Sequence, residues 1–173
     1  MLLKSVLMGF LSFHSVDTTI HSIDATMLKE CKSEEDKISG CVNRYYYESG
    51  NLHIETPYKN RKKEGIEKWY YENGNLWREI PYKNNKAEGI EKWYYENGKL
   101  MAEIPYLNNL FHGDTRFYTE DGKLLALFKG ENDRITSGKC FDDKVLTDKE
   151  IDDLSRPKSI EESINYLKEI CSK

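Results

Sequence analysis

The chain has 173 residues, of which 38% are hydrophobic and 32% are charged, with 3 Trp, 12 Tyr and 6 Phe, and its formal net charge at pH 7 is −4. This length fits one domain with short appendages, and the shortage of aliphatic side chains predicts a thin, aromatic core. The acidic balance argues against a general nucleic-acid binder, because such proteins need a basic surface to displace phosphate counterions.

The N-terminal segment, residues 1–25, is predicted to be a signal peptide. Lys4 precedes an apolar run at residues 5–13, which is too short to span a bilayer as a helix. The alternative is an ordinary N-terminal helix or strand of a cytosolic protein. We therefore expect a periplasmic or secreted protein, and a cytoplasmic one if this segment is not a signal peptide.

The four cysteines lie outside the central part of the chain, and none belongs to a C-x-x-C pair of the kind that binds zinc. Cys31 and Cys41 bracket a short polar loop at the end of a polar lead-in, residues 26–40, while Cys140 and Cys171 bracket the C-terminal tail. We predict these two pairs as disulfides, each stabilising the fold by about 2 to 4 kcal/mol. In a reducing cytosol the same residues would remain thiols.

Residues 41–138 contain an internal repeat of 24 residues, marked by two series of glycines, a spacing that is typical of repeat architectures. We interpret Asn73-Gly74 as a two-residue hairpin loop. Strand pairing then follows by counting: Lys68 lies opposite Glu79 and Tyr70 lies opposite Trp77. The two glycine series are Gly50, Gly74, Gly98 and Gly122, and Gly65, Gly89 and Gly113.

Alternation along these strands sorts the side chains onto two faces. The predicted structural face carries Tyr45, Trp69, Trp93 and Phe117; Tyr47, Tyr71 and Tyr95; Leu52, Leu76, Leu100 and Leu124; and Tyr58, Tyr82 and Tyr106. The opposite face combines a constant tyrosine row with a variable row and is either a binding surface or the solvated side of the sheet. The predicted partner-binding residues are Tyr46, His53, Tyr70, Trp77, Tyr94, Met101 and Tyr118.

The segments "EGIEKWYYENGNL" and "EGIEKWYYENGKL" resemble the bacterial variant of the MORN repeat, which typically reads G-x-x-x-x-Y-Y-x-N-G-x-L. The resemblance covers residues 41 to about 130. It implies a mainly β protein in which tandem antiparallel hairpins form one elongated, twisted sheet. It also implies binding rather than catalysis, since related bacterial chains are YwqK-type antitoxins and others are scaffolds or membrane-associated proteins.

The C-terminal segment, residues 139–173, is predicted to be a helical cap. Thr147 with Glu150, and Ser159 with Glu162, fit the capping box that begins a helix. We expect the second helix to dock on the end of the sheet and to cap its last exposed edge, although its apolar stripe could instead receive a partner. That stripe consists of Ile160, Ile164, Leu167 and Cys171.

No catalytic, metal-binding or cofactor-binding motif is found in the sequence, and the four histidines lie in unrelated contexts. We therefore expect a non-enzymatic protein, without cofactor or metal, that mediates protein–protein interaction in the bacterial envelope as a monomer or weak dimer. Two alternatives are an antitoxin or immunity protein that neutralises a toxin, and a peripheral envelope protein that binds lipid or glycan through its aromatic side chains.

Overall fold

The computed structural model describes residues 25–155 and 159–171. The predicted signal peptide lies outside the described residues except for Ala25, which is buried and begins a short 3-10 helix, Ala25–Met27. The polar lead-in continues into a single helical turn, α1, at Asp36–Ser39.

The body of the protein is one 12-stranded antiparallel open sheet, which confirms the predicted fold class. The long strands follow one another in chain order. In each of the first three hairpins, a two-residue strand also pairs with the end of the second long strand. The strands are β1 (Cys41–Tyr46), β2 (Leu52–Lys59), β3 (Lys62–Lys63), β4 (Gly65–Tyr70), β5 (Leu76–Lys83), β6 (Lys86–Ala87), β7 (Gly89–Tyr94), β8 (Leu100–Leu107), β9 (Leu110–Phe111), β10 (Gly113–Tyr118), β11 (Leu124–Glu131) and β12 (Arg134–Cys140).

The turn at Asn73-Gly74 is longer than the sequence suggested. The Tyr71 N–H donates to the Asn75 carbonyl, and the Gly74 N–H donates to the Tyr71 carbonyl, so that three residues form the loop. Gly74 has a φ of 87°, a conformation that glycine adopts at little cost. The predicted two-residue loop is therefore wrong at this position.

Two-residue loops occur instead at the other end of each hairpin, where its second long strand turns into the next strand, which is short in the first three hairpins and long in the fourth. Both loop residues have positive φ, as a type I′ turn requires, and this turn matches the right-handed twist of the two strands that it joins. Asparagine tolerates this conformation better than most residues because its side chain can bond locally. The four loops are Asn60-Arg61, Asn84-Asn85, Asn108-Asn109 and Asn132-Asp133.

The register of the long strands agrees with the sequence in one part and differs in another. Lys68 pairs with Glu79, as predicted, but Tyr70 pairs with Leu76 because the register shifts between Trp69 and Tyr70. Trp77 is the extra residue of a β-bulge, and a bulge re-aims the side chains beside it. The same shift occurs in the other three hairpins and leaves one unpaired residue in each, namely His53, Met101 and Leu125.

These bulges exchange two rows of side chains between the faces of the sheet. Trp77 packs against Trp69, so it lies on what we call the aromatic face, whereas Leu76 pairs with Tyr70 and lies on the opposite face. The placement of the leucine row on the structural face was therefore wrong. The placement of the tryptophan row and of Tyr71 on that face is confirmed by the contacts of Trp69 and Tyr71 with Trp77.

The main hydrophobic core lies at the C-terminal end of the aromatic face. There the helices α2 (Asp148–Leu154) and α3 (Ile160–Cys171) cover the sheet. Thr147 and Glu150 form the predicted capping box of α2, and the Ser159 hydroxyl accepts a 3.2 Å hydrogen bond from the Glu162 N–H at the start of α3. The core consists of Met101, Ala102, Phe117, Leu125, Ala126, Phe128, Cys140, Leu146, Leu154, Ile164, Leu167 and Ile170.

As expected, α3 docks on the C-terminal end of the sheet, but it covers the face and does not cap the edge strand. It packs over the face of the sheet next to β11 and not along the edge strand β12. The reason is the distribution of apolar surface: Phe117, Leu125 and Phe128 are buried on the face, whereas most of β12 is exposed. Covering the face therefore removes more apolar area from water than covering the edge would.

Two disulfides fasten the ends of the sheet, and both predicted pairings are confirmed. Cys31 is bonded to Cys41 at the start of β1, and Cys140 at the end of β12 is bonded to Cys171 at the end of α3. The second disulfide holds α3 at its C-terminal end, so that the helix is anchored both by its apolar stripe and by a covalent bond.

Candidate binding face

The aromatic face carries a cluster of rings at the N-terminal half of the sheet. The Trp77 ring is the centre: its centroid lies 6.0 Å from that of Trp69, 5.8 Å from that of Tyr71 and 5.6 Å from that of Trp93. The tilted and edge-to-face arrangements are those that aromatic quadrupoles favour. We call this set the aromatic cluster; its members are Tyr47, His53, Trp69, Tyr71, Trp77 and Trp93.

The aromatic cluster is exposed on the sheet, each ring being partly accessible to solvent. His53 stacks on Tyr47 with a centroid distance of 4.1 Å and meets the edge of Trp69 at 5.7 Å. The row of rings is extended toward the first strand by Tyr45, whose pairing with Ile54 places it on the face of Trp69 and whose side chain is 57% exposed.

Buried carboxylates lie beneath the rings. Glu67, which is 3% exposed, accepts hydrogen bonds from the Thr56 hydroxyl at 2.8 Å and from the Trp69 indole N–H at 3.0 Å, and it forms an ion pair with Lys63. Each partner offsets part of the cost of burying the charge. The carboxylate thus fixes the orientation of the Trp69 ring on the exposed face.

A second buried carboxylate orients Arg78. Glu91, which is 2% exposed, accepts a 2.7 Å hydrogen bond from Arg78 Nε. The guanidinium group of Arg78 lies 4.3 Å above the ring of Trp93, a cation–π arrangement. The two interactions hold Arg78 between an acidic and an aromatic partner, and only its Nε has a hydrogen-bond partner among the described residues.

The opposite face is organised by hydrogen bonds between tyrosines and glutamates. The Tyr70 hydroxyl donates to Glu55 at 2.7 Å, and the Tyr94 hydroxyl donates to Glu79 at 2.8 Å. Burial, reinforced by the hydrogen bond to the carboxylate, raises the pKa of both tyrosines well above its ordinary value. These hydroxyl groups are therefore already engaged within the sheet.

The seven residues predicted to bind a partner do not share one face, because of the bulges. His53 and Trp77 belong to the aromatic cluster, and Met101 is buried beneath the C-terminal helices. The structure therefore corrects the single predicted face, while the binding role of these residues stays a prediction. The tyrosines of the set lie on the opposite face and are Tyr46, Tyr70, Tyr94 and Tyr118.

The participation of Tyr47, Trp69, Tyr71 and Trp93 in the exposed cluster was not predicted from the sequence. Their rings were assigned to the correct face, but that face was interpreted as structural and the opposite face as the binding surface. The sequence offered one indication of the longer loop. Gly74, which follows an asparagine, also fits a three-residue loop in which the third residue is left-handed.

Three segments of the sheet, residues 42–60, 63–84 and 87–108, match the family described as MORN repeat variant. These segments are MORN repeats. They supply β1 to β8, including every ring of the aromatic cluster, whereas the fourth hairpin and the helical cap lie beyond the matched residues. No curated protein matches the chain significantly.

No group of three or more His, Cys, Asp and Glu side chains in residues 25–155 and 159–171 is arranged to hold a metal ion. Among the helices of these ranges, none has both the length and the apolar character needed to cross a membrane.

Proposed function

We propose that this MORN repeat protein has no catalytic activity and binds a partner protein through the aromatic cluster. The observation that carries the proposal is that the same face of the sheet already binds a helix within the chain. Met101 and Leu125 occupy, in the third and fourth hairpins, the bulge position that Trp77 occupies in the second. There α3 covers them, whereas Trp77 remains partly exposed.

The packing of α3 indicates what kind of surface fits this face. The helix contributes Ile164 and Leu167, both fully or nearly fully buried, from one apolar stripe. An amphipathic helix with a comparable stripe is a common protein ligand for an apolar groove. We therefore propose that the partner presents such a helix to the aromatic cluster.

The composition of the open surface also favours a protein partner. Trp, Tyr and Arg dominate the energetics of protein interfaces, because they provide large, fairly rigid contact area with a polar edge. The aromatic cluster combines Trp69, Trp77 and Trp93 with Arg78, whose charge is compensated by Glu91. A partner would cover these rings without burying an unpaired charge.

We propose the bacterial envelope as the site of this interaction. Two disulfides support an oxidising compartment, since cytosolic thiols are normally kept reduced. Intact mass of the protein purified from its native host, with and without reduction and alkylation, tests this part. A full-length chain with four alkylatable thiols would overturn it and would direct the search to a cytosolic partner.

Two adjacent tyrosines provide a matched test of the binding face. Tyr45 lies on the aromatic face and Tyr46 on the opposite one, and they are 57% and 54% exposed. Partner capture from native envelope extract, quantified by mass spectrometry and then by titration with the purified partner, should be weakened by Tyr45→Ala and unaffected by Tyr46→Ala. Equal effects of the two variants would contradict the proposed face.

The identity of the captured molecule decides between the proposal and its alternatives. A toxic protein among the specific partners would narrow the function to that of an antitoxin. Retention on liposomes or peptidoglycan that depends on Tyr45, with no protein bound, would replace protein recognition by lipid or glycan binding.

A further inference from the structure

A cavity of about 330 Å³ lies where the aromatic face meets the C-terminal helices. Its floor is formed by strands of the sheet, and its roof is formed by the end of α2 and the first turn of α3, where Ser159 at the rim is exposed. The volume falls at the lower end of the range of about 300 to 1,000 Å³ that small-molecule sites occupy. It suits a ligand of one or two rings.

Most of the wall is aromatic or aliphatic. The rings of Trp93, Tyr106, Phe111, Phe117 and Phe128 surround the cavity. Phe117 and Phe128 meet edge to face with centroids 5.6 Å apart, which fixes both rings. Flat apolar walls of this kind favour a planar ring that can stack against them or meet their edges.

Among the residues that line the cavity, the polar groups without a partner in the described ranges are mainly hydrogen-bond donors. Thr115 is 4% exposed, and its hydroxyl has no hydrogen-bond partner among the described residues. The indole N–H of Trp93 is likewise buried without a partner in this part of the chain. Buried polar groups are normally paired, so that the Thr115 hydroxyl calls for a hydrogen-bond partner inside the cavity.

Arg78 and Glu91 are the charged residues of the lining. Arg78 uses Nε for Glu91, which leaves its terminal nitrogens as further donors, and Glu91 uses one carboxylate oxygen for Arg78. Because the two charges cancel, a full anion gains no net attraction there. A neutral ligand with a carbonyl acceptor for Thr115 and an N–H donor for the second oxygen of Glu91 satisfies the site best.

We propose that this cavity binds a small, neutral, planar aromatic molecule that carries a carboxamide group. The ring lies among Phe111, Phe117 and Phe128, and the amide faces Thr115 and the Arg78–Glu91 pair. The site adjoins the face proposed for the partner protein and shares Trp93, Arg78 and Glu91 with it, whereas Thr115 and Phe128 lie in the fourth hairpin beneath α3 and outside the aromatic cluster.

Benzamide is a suitable probe, and nuclear magnetic resonance titration of the full disulfide-bonded chain is a suitable measurement. We expect saturable shifts of the amide signals of Thr115, Phe117 and Ser163. Two analogues test the two halves of the ligand: benzoate replaces the amide by an anion, and cyclohexanecarboxamide replaces the flat ring. Each should bind about fivefold more weakly, the equivalent of losing one hydrogen bond or a comparable contact.

Thr115→Val preserves the shape of the side chain and removes its hydroxyl, and it should weaken benzamide binding about fivefold. Thr136→Val, at an exposed position of β12, is the matched control and should not change it. Ile135→Trp should abolish binding by filling the cavity from its wall. The proposal is overturned if benzamide does not bind, if benzoate binds more tightly, or if Thr115→Val leaves the affinity unchanged.

Failure of this site and failure of the proposed protein-binding face give different results. Tyr45→Ala should leave benzamide binding intact because Tyr45 lies at the other end of the sheet, on β1. Capture of a tyrosine- or phenylalanine-bearing peptide in the cavity, with no affinity for free benzamide, would overturn the small-molecule assignment while leaving the partner-binding face unaffected.

Discussion

The hydroxyl of Tyr94 donates a 2.8 Å hydrogen bond to the carboxylate of Glu79, which lies 15 residues earlier in the chain and in the preceding repeat. The same bond links Tyr70 to Glu55 one repeat earlier, at 2.7 Å. A repeat sheet of this kind is stabilised by contacts between neighbouring units, because no unit buries enough surface alone. The tyrosine row of the motif therefore connects the repeats to one another.

Removing one of these hydroxyl groups should lower the stability of the fold. We expect Tyr94→Phe to reduce the free energy of unfolding by about 1 kcal/mol, less than the usual value for a bond to a buried charge because the pair is partly solvated. Tyr46→Phe is the control, since the Tyr46 hydroxyl has no hydrogen-bond partner among the described residues and the ring is 54% exposed. Urea denaturation of both variants measures the difference; equal midpoints would contradict the role given to this row.

The tyrosines also predict how stability depends on alkaline pH. Burial raises the pKa of Tyr71 and of Tyr106 from 10.0 to about 12 in the folded chain. Between these values the unfolded chain has released protons that the folded chain still holds, so that stability must fall as pH rises. Below pH 10 both states are protonated and this contribution is fully present.

We therefore expect the urea midpoint to fall between about pH 10 and about pH 12, with most tyrosinate appearing only as the chain unfolds. Lys63, whose pKa is also raised in the folded state, contributes in the same direction. A Tyr71→Phe variant separates the contribution of the tyrosines from that of Lys63, because its urea midpoint should decline less steeply with pH. A decline with pH that is equally steep in Tyr71→Phe and in the unchanged protein would contradict the prediction.

The strand register beyond the bulge was predicted correctly from the sequence, although the predicted loop had the wrong length. A two-residue loop at Asn73-Gly74 places Lys68 opposite Glu79. The true loop has three residues, which shifts the pairing by one, and the bulge at Trp77 shifts it back. The two effects cancel beyond the bulge, so that the charge pair was identified correctly while the residues between the loop and the bulge were assigned to the wrong faces.

The faces near the turn and the cavity could not be obtained from periodicity. A bulge leaves the 24-residue spacing unchanged, and a tryptophan at position 77 fits either face by composition. The cavity depends on the angle at which α3 crosses the strands. Its lining combines Thr115 of the sheet with Ser163 of α3, which are distant in the chain. The disulfides were predictable because each pair of cysteines brackets one short segment at an end of the repeat.

The two disulfides should differ in their contribution to stability. The Cys140–Cys171 bond joins residues 31 positions apart and the Cys31–Cys41 bond joins residues 10 apart. Loop-closure entropy then gives about 4 kcal/mol for the first and about 3 kcal/mol for the second. Replacing each pair by alanine and measuring urea denaturation should show the greater loss for the C-terminal pair. The reverse order would indicate that the apolar stripe of α3 holds the helix without help from the bond.

Two buried threonines provide the sharpest test of the polar groups beneath the aromatic face. Thr56 and Thr115 are each 4% exposed, but the Thr56 hydroxyl donates a 2.8 Å hydrogen bond to Glu67, whereas the Thr115 hydroxyl has no partner among the described residues. Valine keeps the shape of threonine. Thr56→Val should therefore destabilise the fold by about 2 kcal/mol, because it removes a bond to a buried charge.

Thr115→Val should instead stabilise the ligand-free protein by about 1 kcal/mol, since it removes a buried hydroxyl that the fold does not satisfy. Thermal and urea denaturation of the two variants, measured side by side, give the sign of the stability change for each. If Thr115→Val destabilised the fold as much as Thr56→Val, the Thr115 hydroxyl would be satisfied in the ligand-free protein, and the cavity would lose the group that most directly requires an acceptor. Stability changes of opposite sign would mean that the Thr115 hydroxyl lowers the stability of the fold. This is expected where a side chain serves binding instead of folding.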